Sequence, residues 1–459
     1  MHSYRSVYFL GIGGIGMSAL ARYFHRSGAV VSGYDKTPTS LTQKLIEEGI
    51  AVHFDDDPEQ VPDNIELVIY TPALPKDSRE FRFITEKGLL LKKRSEVLGM
   101  ITRNSKTIAI AGTHGKTTIT TMVAHLLKSS GIESVAFLGG ISKNYSSNLI
   151  ISGKSDPTGE NLPAYYVAEA DEFDRSFLQL FPEIAVITSA DADHLDIYGN
   201  IGELRHSFEE FTSHLPKSGT LILKKGVNIE PVKPVDYKVY TYAVEEGADF
   251  YPDKILLKNG LFVFDLITPL APIRNITLGL PGKFNLENAI AAAAVACTAG
   301  IPDALISQSL RSFEGVERRF DFQVMKNDFV YIDDYAHHPE ELKACIKAVK
   351  ELFPTKKITG IFQPHLFTRT RDFADDFARS LELLDELILL EIYPAREKPI
   401  PGIDSAMLLE KIQLKNKSIC SKADLPRLLK SRKPEVLLTL GAGDIDQMVK
   451  IIKDLFTNN

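Results

Sequence analysis

Between the apolar run Thr107 to Ala111 and a helical pattern lies Gly112-Thr113-His114-Gly115-Lys116-Thr117-Thr118. Backbone amides of such a loop cradle phosphates, the Lys116 ammonium reaches the β- and γ-oxygens, and the Thr117 hydroxyl binds magnesium. The first glycine of the general phosphate-loop pattern would fall at Ile110, so this is a shorter, GxxGKTT loop. Nearer the N-terminus another glycine loop, the first in chain order, Gly11-Ile12-Gly13-Gly14-Ile15-Gly16, stands between the run Ser6 to Leu10 and the helical pattern Met17 to Ser27. Its glycines let the backbone approach a diphosphate at a helix N-terminus, and Asp35, ending the next strand, is placed for a ribose hydroxyl. Read alone, this loop is compatible with NAD, FAD or another diphosphate nucleotide. A dehydrogenase does not need the GTHGKTT loop, and an ordinary ATPase does not need the GIGGIG loop. Together they suggest an enzyme that uses ATP to join something to a nucleotide-linked substrate.

Four further polar segments follow apolar runs. Glu169-Ala170-Asp171-Glu172 follows Tyr165 to Ala168, where a carboxylate beside a phosphate loop completes a magnesium site directly or through water. Asp191-Ala192-Asp193-His194-Leu195-Asp196 follows Ile184 to Thr188; His194 is open between a metal ligand and a helix cap, since magnesium prefers oxygen. Asp333-Asp334-Tyr335-Ala336-His337-His338-Pro339 and Gln363-Pro364-His365-Leu366-Phe367-Thr368-Arg369-Thr370 each follow a strand-like run. Open α/β sheets bind ligands at these strand ends.

The elements that must position these groups alternate strand and helix, which predicts an α/β fold with parallel sheets in three domains. Residues 1–104 read as a Rossmann-like domain, with strands Ser6 to Leu10, Val30 to Ser32 and Leu67 to Tyr70 and helices from Leu41 and around Glu96 to Ile101. Residues 105–319 read as a central P-loop ATPase-like domain. Its stretch from Leu221 to Leu266 predicts an antiparallel insert, and Leu286 to Gly300 a closing helix. Residues 320–459 read as a second Rossmann-like domain, with strands Phe329 to Ile332, Ile358 to Phe362, Leu387 to Glu391 and Val436 to Leu440. A chain of 459 residues suits three domains at about 150 residues each.

Hydrophobic residues make up 44% and charged residues 25%, which excludes a disordered or fibrous chain. The net charge of −7 argues against nucleic-acid wrapping, which needs a basic face. Three scattered cysteines, Cys297, Cys345 and Cys420, exclude a CxxC zinc ribbon and suit a reducing cytosol. No secretory leader is visible. The most apolar stretch, Ala289 to Ile301, is shorter than a membrane span and predicts a buried helix.

The ordered set GIGGIGM, GTHGKTT, EADE, DADHLD, NLENA, RRF, DDYAHHP and QPHLFTRT, spread from Gly11 to Gly443, resembles the Mur ligases of peptidoglycan synthesis. The resemblance implies a cytoplasmic enzyme, monomer or homodimer, that uses ATP and two Mg2+ ions. UDP-N-acetylmuramate and L-alanine are its implied substrates, joined through an acyl phosphate, with neither nucleic acid nor membrane insertion involved. It implies that Gly11, Gly13, Gly14, Ile15, Gly16, Asp35, Lys143 and Asn148 hold the UDP-sugar, not NAD. Lys116 would meet the transferred phosphate within the loop Gly112 to Thr118. Thr117 and Glu169 would hold one magnesium, and His194 the second. Asn288 of NLENA would meet adenine, Arg319 of RRF phosphate, and Asp334 the ATP ribose. Tyr335, His337, His365 and Arg369 would receive the amino acid. Two features depart from parts of the family. Leu366 and Phe367 stand where some relatives carry arginine and tyrosine, which leaves the alanine carboxylate to Arg369. From Leu195 to Pro216 there is no lysine to be carbamylated, which suits the alanine-adding branch. Its neighbour, a recycling ligase that adds an intact tripeptide, carries a different first glycine loop.

Overall fold

The computed structural model describes residues 4–75, 77–103, 105–153, 163–191, 198–232, 236–395 and 397–457; of Asp174 it describes the backbone alone. The chain forms two compact units. One holds Met1–Lys258, Phe262–Gly279 and Leu286–Glu314; the other holds Asn259–Leu261, Leu280–Asn285 and Gly315–Asn459.

The first unit opens with a wholly parallel sheet of order β3-β2-β1-β4-β5, built from β1 (Ser6–Leu10), β2 (Val30–Tyr34), β3 (Ala51–His53), β4 (Leu67–Tyr70) and β5 (Leu91–Lys93). The strand order reverses beside β1, so the glycine loop after it lies at the topological switch point. Around this sheet run α1 (Ile15–Arg26), α2 (Ser40–Glu47), α3 (Arg79–Glu86) and α4 (Arg94–Thr102). The central strands β1 and β4 are largely apolar and buried because both faces are covered. Val7 and Phe9 face one core cluster, Tyr8 and Leu10 another.

A second sheet has the order β12-β11-β10-β6-β9-β7-β8. Its strands are β6 (Thr107–Ala111), β7 (Ser134–Ser142), β8 (Ser147–Ser152), β9 (Tyr165–Ala170), β10 (Ile184–Ile187), β11 (Thr220–Lys224) and β12 (Lys238–Tyr242). All neighbours are parallel except β7 and β8. β6 is central, and α5 (Lys116–Ser129) follows it. The predicted antiparallel insert is divided. β11 and β12 extend this parallel sheet, whereas β13 (Tyr251–Lys258), β14 (Leu261–Ile267) and β15 (Ile273–Thr277) make a separate small sheet. The expected apolar helix is present as Lys283–Thr298, with Ala289 to Ala296 buried. No helix among the described residues is long and apolar enough to cross a membrane.

The second unit carries a sheet of order β16-β17-β21-β18-β19-β20: β16 (Asp321–Met325), β17 (Val330–Asp334), β18 (Ile358–Phe362), β19 (Glu386–Leu389), β20 (Lys417–Ile419) and β21 (Val436–Leu440). Only β16 and β17 pair antiparallel.

Helix ends distinguish the loops that could bind anions. α2 and α3 are capped by the side chains of Thr39 and Ser78. α1 and α5 begin after Gly14 and Gly115, with no side-chain cap and no acid in the first turn. Their N–H groups and positive dipole ends are left for an anion.

A buried polar cluster braces the first sheet. Tyr8 donates to Glu80 Oε2 at 2.5 Å and also meets His53 Nε2 at 2.7 Å, while Asp57 N donates to Glu80 Oε1 at 3.1 Å. Burial pushes the Glu80 carboxyl up to about 7, against the pull of those two hydrogen bonds. An acid whose pKa is higher folded than unfolded holds its proton longer in the folded state. Its stabilisation is therefore present at low pH and lost as pH rises through about 7. The loss should approach about 3 kcal/mol at most. Glu80→Gln is expected to flatten the fall in unfolding midpoint between pH 5 and 8. His53 remains in both proteins, so equal pH slopes for the two would remove Glu80 as the cause.

Candidate active site

The second glycine loop, its two flanking strand ends and α5 form one constellation. Gly112 and Gly115 have φ of 121° and 80°, conformations that only glycine adopts without strain. A Cβ on Gly112 would stand 2.2 Å from Thr188 Oγ1, and one on Gly115 would stand 2.7 Å from Asn288 Oδ1. The segment after β10 buttresses the loop. Thr188 donates to His114 O at 2.5 Å, His114 N donates to Ser189 Oγ at 2.9 Å, and Thr113 Oγ1 meets Ser189 Oγ at 2.8 Å.

Lys116 Nζ donates to Gly112 O and to both oxygens of Glu172, each at 2.8 Å. Burial alone would push its pKa down; the carboxylates of Glu172, Asp171 and Glu169 outweigh that and push it up. The ammonium is thus firmly charged. Glu172 is fully buried, and its own carbonyl accepts from Tyr198 Oη at 2.6 Å.

Thr117 Oγ1 lies 3.0 Å from each oxygen of Glu169. Sequence reading put Glu169 just past its strand, but β9 runs to Ala170 and fixes it on the sheet beside β6. A Cβ on Gly139 would fall 1.9 Å from Glu169 Oε2, so the carboxylate occupies a cradle that only glycine leaves open. A hydroxyl and a carboxylate in contact are hard oxygen donors of the type magnesium takes. These residues therefore fit a magnesium ion held by Thr117 and Glu169. The described residues contain no set of three or more His, Cys, Asp or Glu side chains arranged for a metal, and His194 lies outside them. Gly139→Ala is expected to displace Glu169 and lower activity about 100-fold at millimolar magnesium, with partial recovery as magnesium is raised. A magnesium titration checks it; an unchanged magnesium requirement would remove Glu169 from the ion's site.

At the first glycine loop, Gly13 N donates to Asp35 Oδ2 at 2.8 Å and Thr37 N donates to Oδ1 at 3.1 Å. Asp35, expected at a ribose, here also holds the loop itself. Asn148 is fully buried. Its amide donates to Ile15 O at 2.6 Å and Ser18 Oγ at 2.9 Å, and its oxygen accepts from Arg22. It thereby ties β8 to α1. Lys143 lies half-buried in the β7–β8 turn.

In the second unit the remaining predicted residues gather at the carboxyl ends of β17 and β18. Asp334 accepts from Phe320 N and Ala336 N, both at 2.7 Å, so its carboxylate pins the RRF turn. Burial pushes it up to about 6, against the pull of Arg319 and those amides. The turn is strained, with Arg318 and Phe320 at φ of 62° and 50°. The guanidiniums of Arg318 and Arg319 stand 5.0 and 4.8 Å from the centre of the Tyr335 ring. The His337 ring lies 5.3 Å from that of Tyr335 and 6.1 Å from that of His365. Arg369 Nη1 approaches His365 Nδ1 at 3.5 Å. Burial lowers His337 to about 4, helped by Arg369 and Arg319 and opposed by Glu341. It is neutral at physiological pH, and its Nδ1, 3.0 Å from Tyr335 O, carries the proton.

Sequence reading gave no role to Glu172, Thr188, Ser189, Tyr393 or Arg94. Glu172 lay inside a quoted motif, and Thr188 and Ser189 directly follow the strand β10. Tyr393 stacks on His365 across an isolated bridge and offered only a lone aromatic as signal.

Fold and site together define an α/β protein with a GxxGKTT loop between a strand and a helix and a separate glycine loop at a second helix N-terminus. The comparisons narrow the class. The chain matches the Mur ligase family catalytic domain over residues 6–106, the Mur ligase middle domain over 110–296 and the Mur ligase glutamate ligase domain over 318–443. It is 49% identical over 455 residues to UDP-N-acetylmuramate–L-alanine ligase of Phocaeicola vulgatus, covering 98% of this chain and 97% of that one. It is 50% identical over 456 residues to the ligase of the same name from Parabacteroides distasonis, with the same coverage. Among solved structures, UDP-N-acetylmuramate-alanine ligase of Thermotoga maritima superposes with a TM-score of 0.83 at 27% identity, covering 99% of both chains. A murein peptide ligase of Psychrobacter arcticus shares the fold, with a TM-score of 0.73 at 20% identity and the same coverage. The chain belongs to the Mur ligase family.

Proposed function

We propose that the protein is an ATP-dependent ligase that forms the amide between the lactyl carboxylate of UDP-N-acetylmuramate and L-alanine, a step of peptidoglycan precursor synthesis. Near 50% identity to alanine-adding ligases over almost the whole chain carries this reading. The proposed division of labour is UDP-sugar on residues 1–104, ATP on 105–319 and the amino acid on 320–459. The proposed place of the reaction is the cytoplasm.

A carboxylate resists attack by an amine because its charge is delocalised. Transfer of the γ-phosphoryl group to the lactyl carboxylate gives an acyl phosphate. The amine of alanine attacks its carbonyl, the C–O bond to phosphate breaks, and ADP and inorganic phosphate leave. Lys116 supplies fixed positive charge where the transferred phosphoryl group moves. Thr117 and Glu169 would hold one magnesium ion and His194 a second, and ions there would neutralise phosphate charge. Asn288, against Gly115, is proposed at the adenine, with Arg319 at phosphate and Asp334 at the ribose. Arg369 is proposed at the alanine carboxylate, beside Tyr335, His337 and His365. Neutral His337 offers an imidazole lone pair for the amine proton, though a pKa near 4 makes it a weak base. The first glycine loop with Asp35, Lys143 and Asn148 is proposed for the UDP-sugar.

The test is phosphate release from ATP and magnesium with UDP-N-acetylmuramate fixed and L-alanine, glycine, L-serine or the recycled tripeptide supplied in turn. Release that needs both UDP-sugar and L-alanine is expected. Release only with the tripeptide would move the protein to recycling, and no release with any of these amines would overturn the ligase. Because no lysine lies between Leu195 and Pro216, bicarbonate is expected to leave the rate unchanged, and a clear stimulation would contradict that.

A further inference from the structure

Arg94 opens α4 directly after β5, at the carboxyl end of the first sheet. Its guanidinium reaches two places. A Cβ on Gly16, in the first turn of α1, would stand 2.9 Å from Arg94 Nη1 and 3.1 Å from Cδ, so the side chain lies against that turn. Arg94 Nη2 also stands 3.9 Å from Asp171 Oδ2. Asp171 follows β9, and its charge is one of those that hold the Lys116 ammonium. One cation therefore borders both phosphate loops. The first turn of α1, Ile15-Gly16-Met17, has no charged side chain of its own. Beside Arg94, its neighbours Lys93 and Ser95 line a polar cavity of about 370 Å³ with Tyr70, Glu96 and Arg175.

The balance of interactions gives this arrangement a direction. At 3.9 Å, with side chains 23% and 38% exposed, the Arg94–Asp171 pair is a weak one. A diphosphate seated on α1 offers the same guanidinium two short, charge-assisted hydrogen bonds in its own plane. We propose that Arg94 couples the two loops: the diphosphate of a UDP-sugar draws its guanidinium off Asp171, and the carboxylate so released strengthens the binding of magnesium nucleotide at the second loop. The coupling rests on the proposed reading of the first loop as the UDP-sugar site. By linkage it is reciprocal, so magnesium nucleotide tightens UDP-sugar binding by the same factor.

The experiment is calorimetry on the full-length protein. UDP-N-acetylmuramate and a non-hydrolysable ATP analogue with magnesium are each titrated alone and with the other saturating. In the wild type each is expected to tighten the other about fivefold. Arg94→Ala is expected to weaken UDP-sugar binding at least about tenfold. It should also bind the analogue alone as tightly as the wild type does with UDP-sugar present, and its coupling factor should fall to one. Arg94→Lys keeps the charge without the planar fork and should recover part of the UDP-sugar affinity, which separates a lost contact from a lost fold. Asp171→Asn should bind UDP-sugar alone about as tightly as the wild type does with the analogue present, and lose the coupling. UDP-sugar affinity in Arg94→Ala within about threefold of wild type, or coupling that is absent from the wild type or survives in either neutral variant, would overturn the proposal. A wild type that binds no UDP-N-acetylmuramate overturns the reading of the first loop and the coupling with it, an outcome distinct from the others.

Discussion

Lys116→Ala is expected to reduce ATP-dependent amide formation by at least about a thousandfold, equivalent to about 4 kcal/mol of transition-state stabilisation. The side chain places its charge inside the GxxGKTT loop, 2.8 Å from Gly112 O, where a methyl group can supply neither charge nor donor. The same substitution carries a second cost. Glu172 is fully buried and takes both its 2.8 Å hydrogen bonds to an ammonium from Lys116. Removing one partner of a buried pair costs about 3–5 kcal/mol, because the other charge is left in the interior. Lost activity and lost stability must therefore be separated. Glu172→Gln added to Lys116→Ala should restore much of the unfolding midpoint, since a neutral amide tolerates burial better than a lone carboxylate. It should restore none of the turnover. Steady-state phosphate release and thermal unfolding on the wild type, the single variant and the double variant decide the matter. Turnover above a tenth of wild type in Lys116→Ala would end the assignment of this loop to the transferred phosphate.

The parts of this site legible in the sequence are those fixed by local chain geometry. A glycine loop between a strand and a helix announces itself because strand, turn and helix are contiguous, and β6, Gly112 and α5 stand where their residues predict. Strands buried on both faces, such as Ile358–Phe362 and Val436–Leu440, read as mostly apolar runs, and the structure gives them the expected bounds. The short edge strands β3, β5 and β20 carry no such run, because an edge strand of three residues has little to bury.

What was not legible is whatever depends on a partner distant in sequence. Glu172 acquires its role only when β9 is laid beside β6, which brings it to Lys116, 56 residues away. Thr188 and Ser189 become loop supports only when β10 flanks β6 on its other side, 74 and 75 residues from their partners in His114. Gly139 shows no motif at all; its need for a bare Cα comes from the Glu169 carboxylate pressed against it. Asp334 is the converse case. A strand-end aspartate reads as a ligand contact, and the fold gives both its oxygens a further task, one holding Phe320 in the turn that carries Arg319 and the other holding Ala336 just past β17.

Arg369→Ala is expected to raise the KM for L-alanine about 30-fold while leaving the KM for ATP within about twofold. Leu366 and Phe367 provide no charge beside it, so Arg369 is the proposed cation for the amino-acid carboxylate on that helix turn. A second, independent readout distinguishes this role from a packing defect. Burial is the main cause that lowers His337 to about 4, and Arg369 lowers it further by disfavouring a second positive charge nearby. Removing the guanidinium takes away that repulsion, while Glu341, 3.4 Å from His337 Nδ1, still favours the imidazolium. The His337 pKa must therefore rise, so the variant should gain a proton there at higher pH than the wild type. NMR titration of the His337 ring in the two proteins measures the shift directly. Arg369→Lys should restore most of the His337 titration but little of the alanine KM, because an ammonium supplies charge without the bidentate fork. Equal rises in the KM for alanine and for ATP, or a His337 pKa that stays near 4 in Arg369→Ala, would take Arg369 out of the amino-acid site.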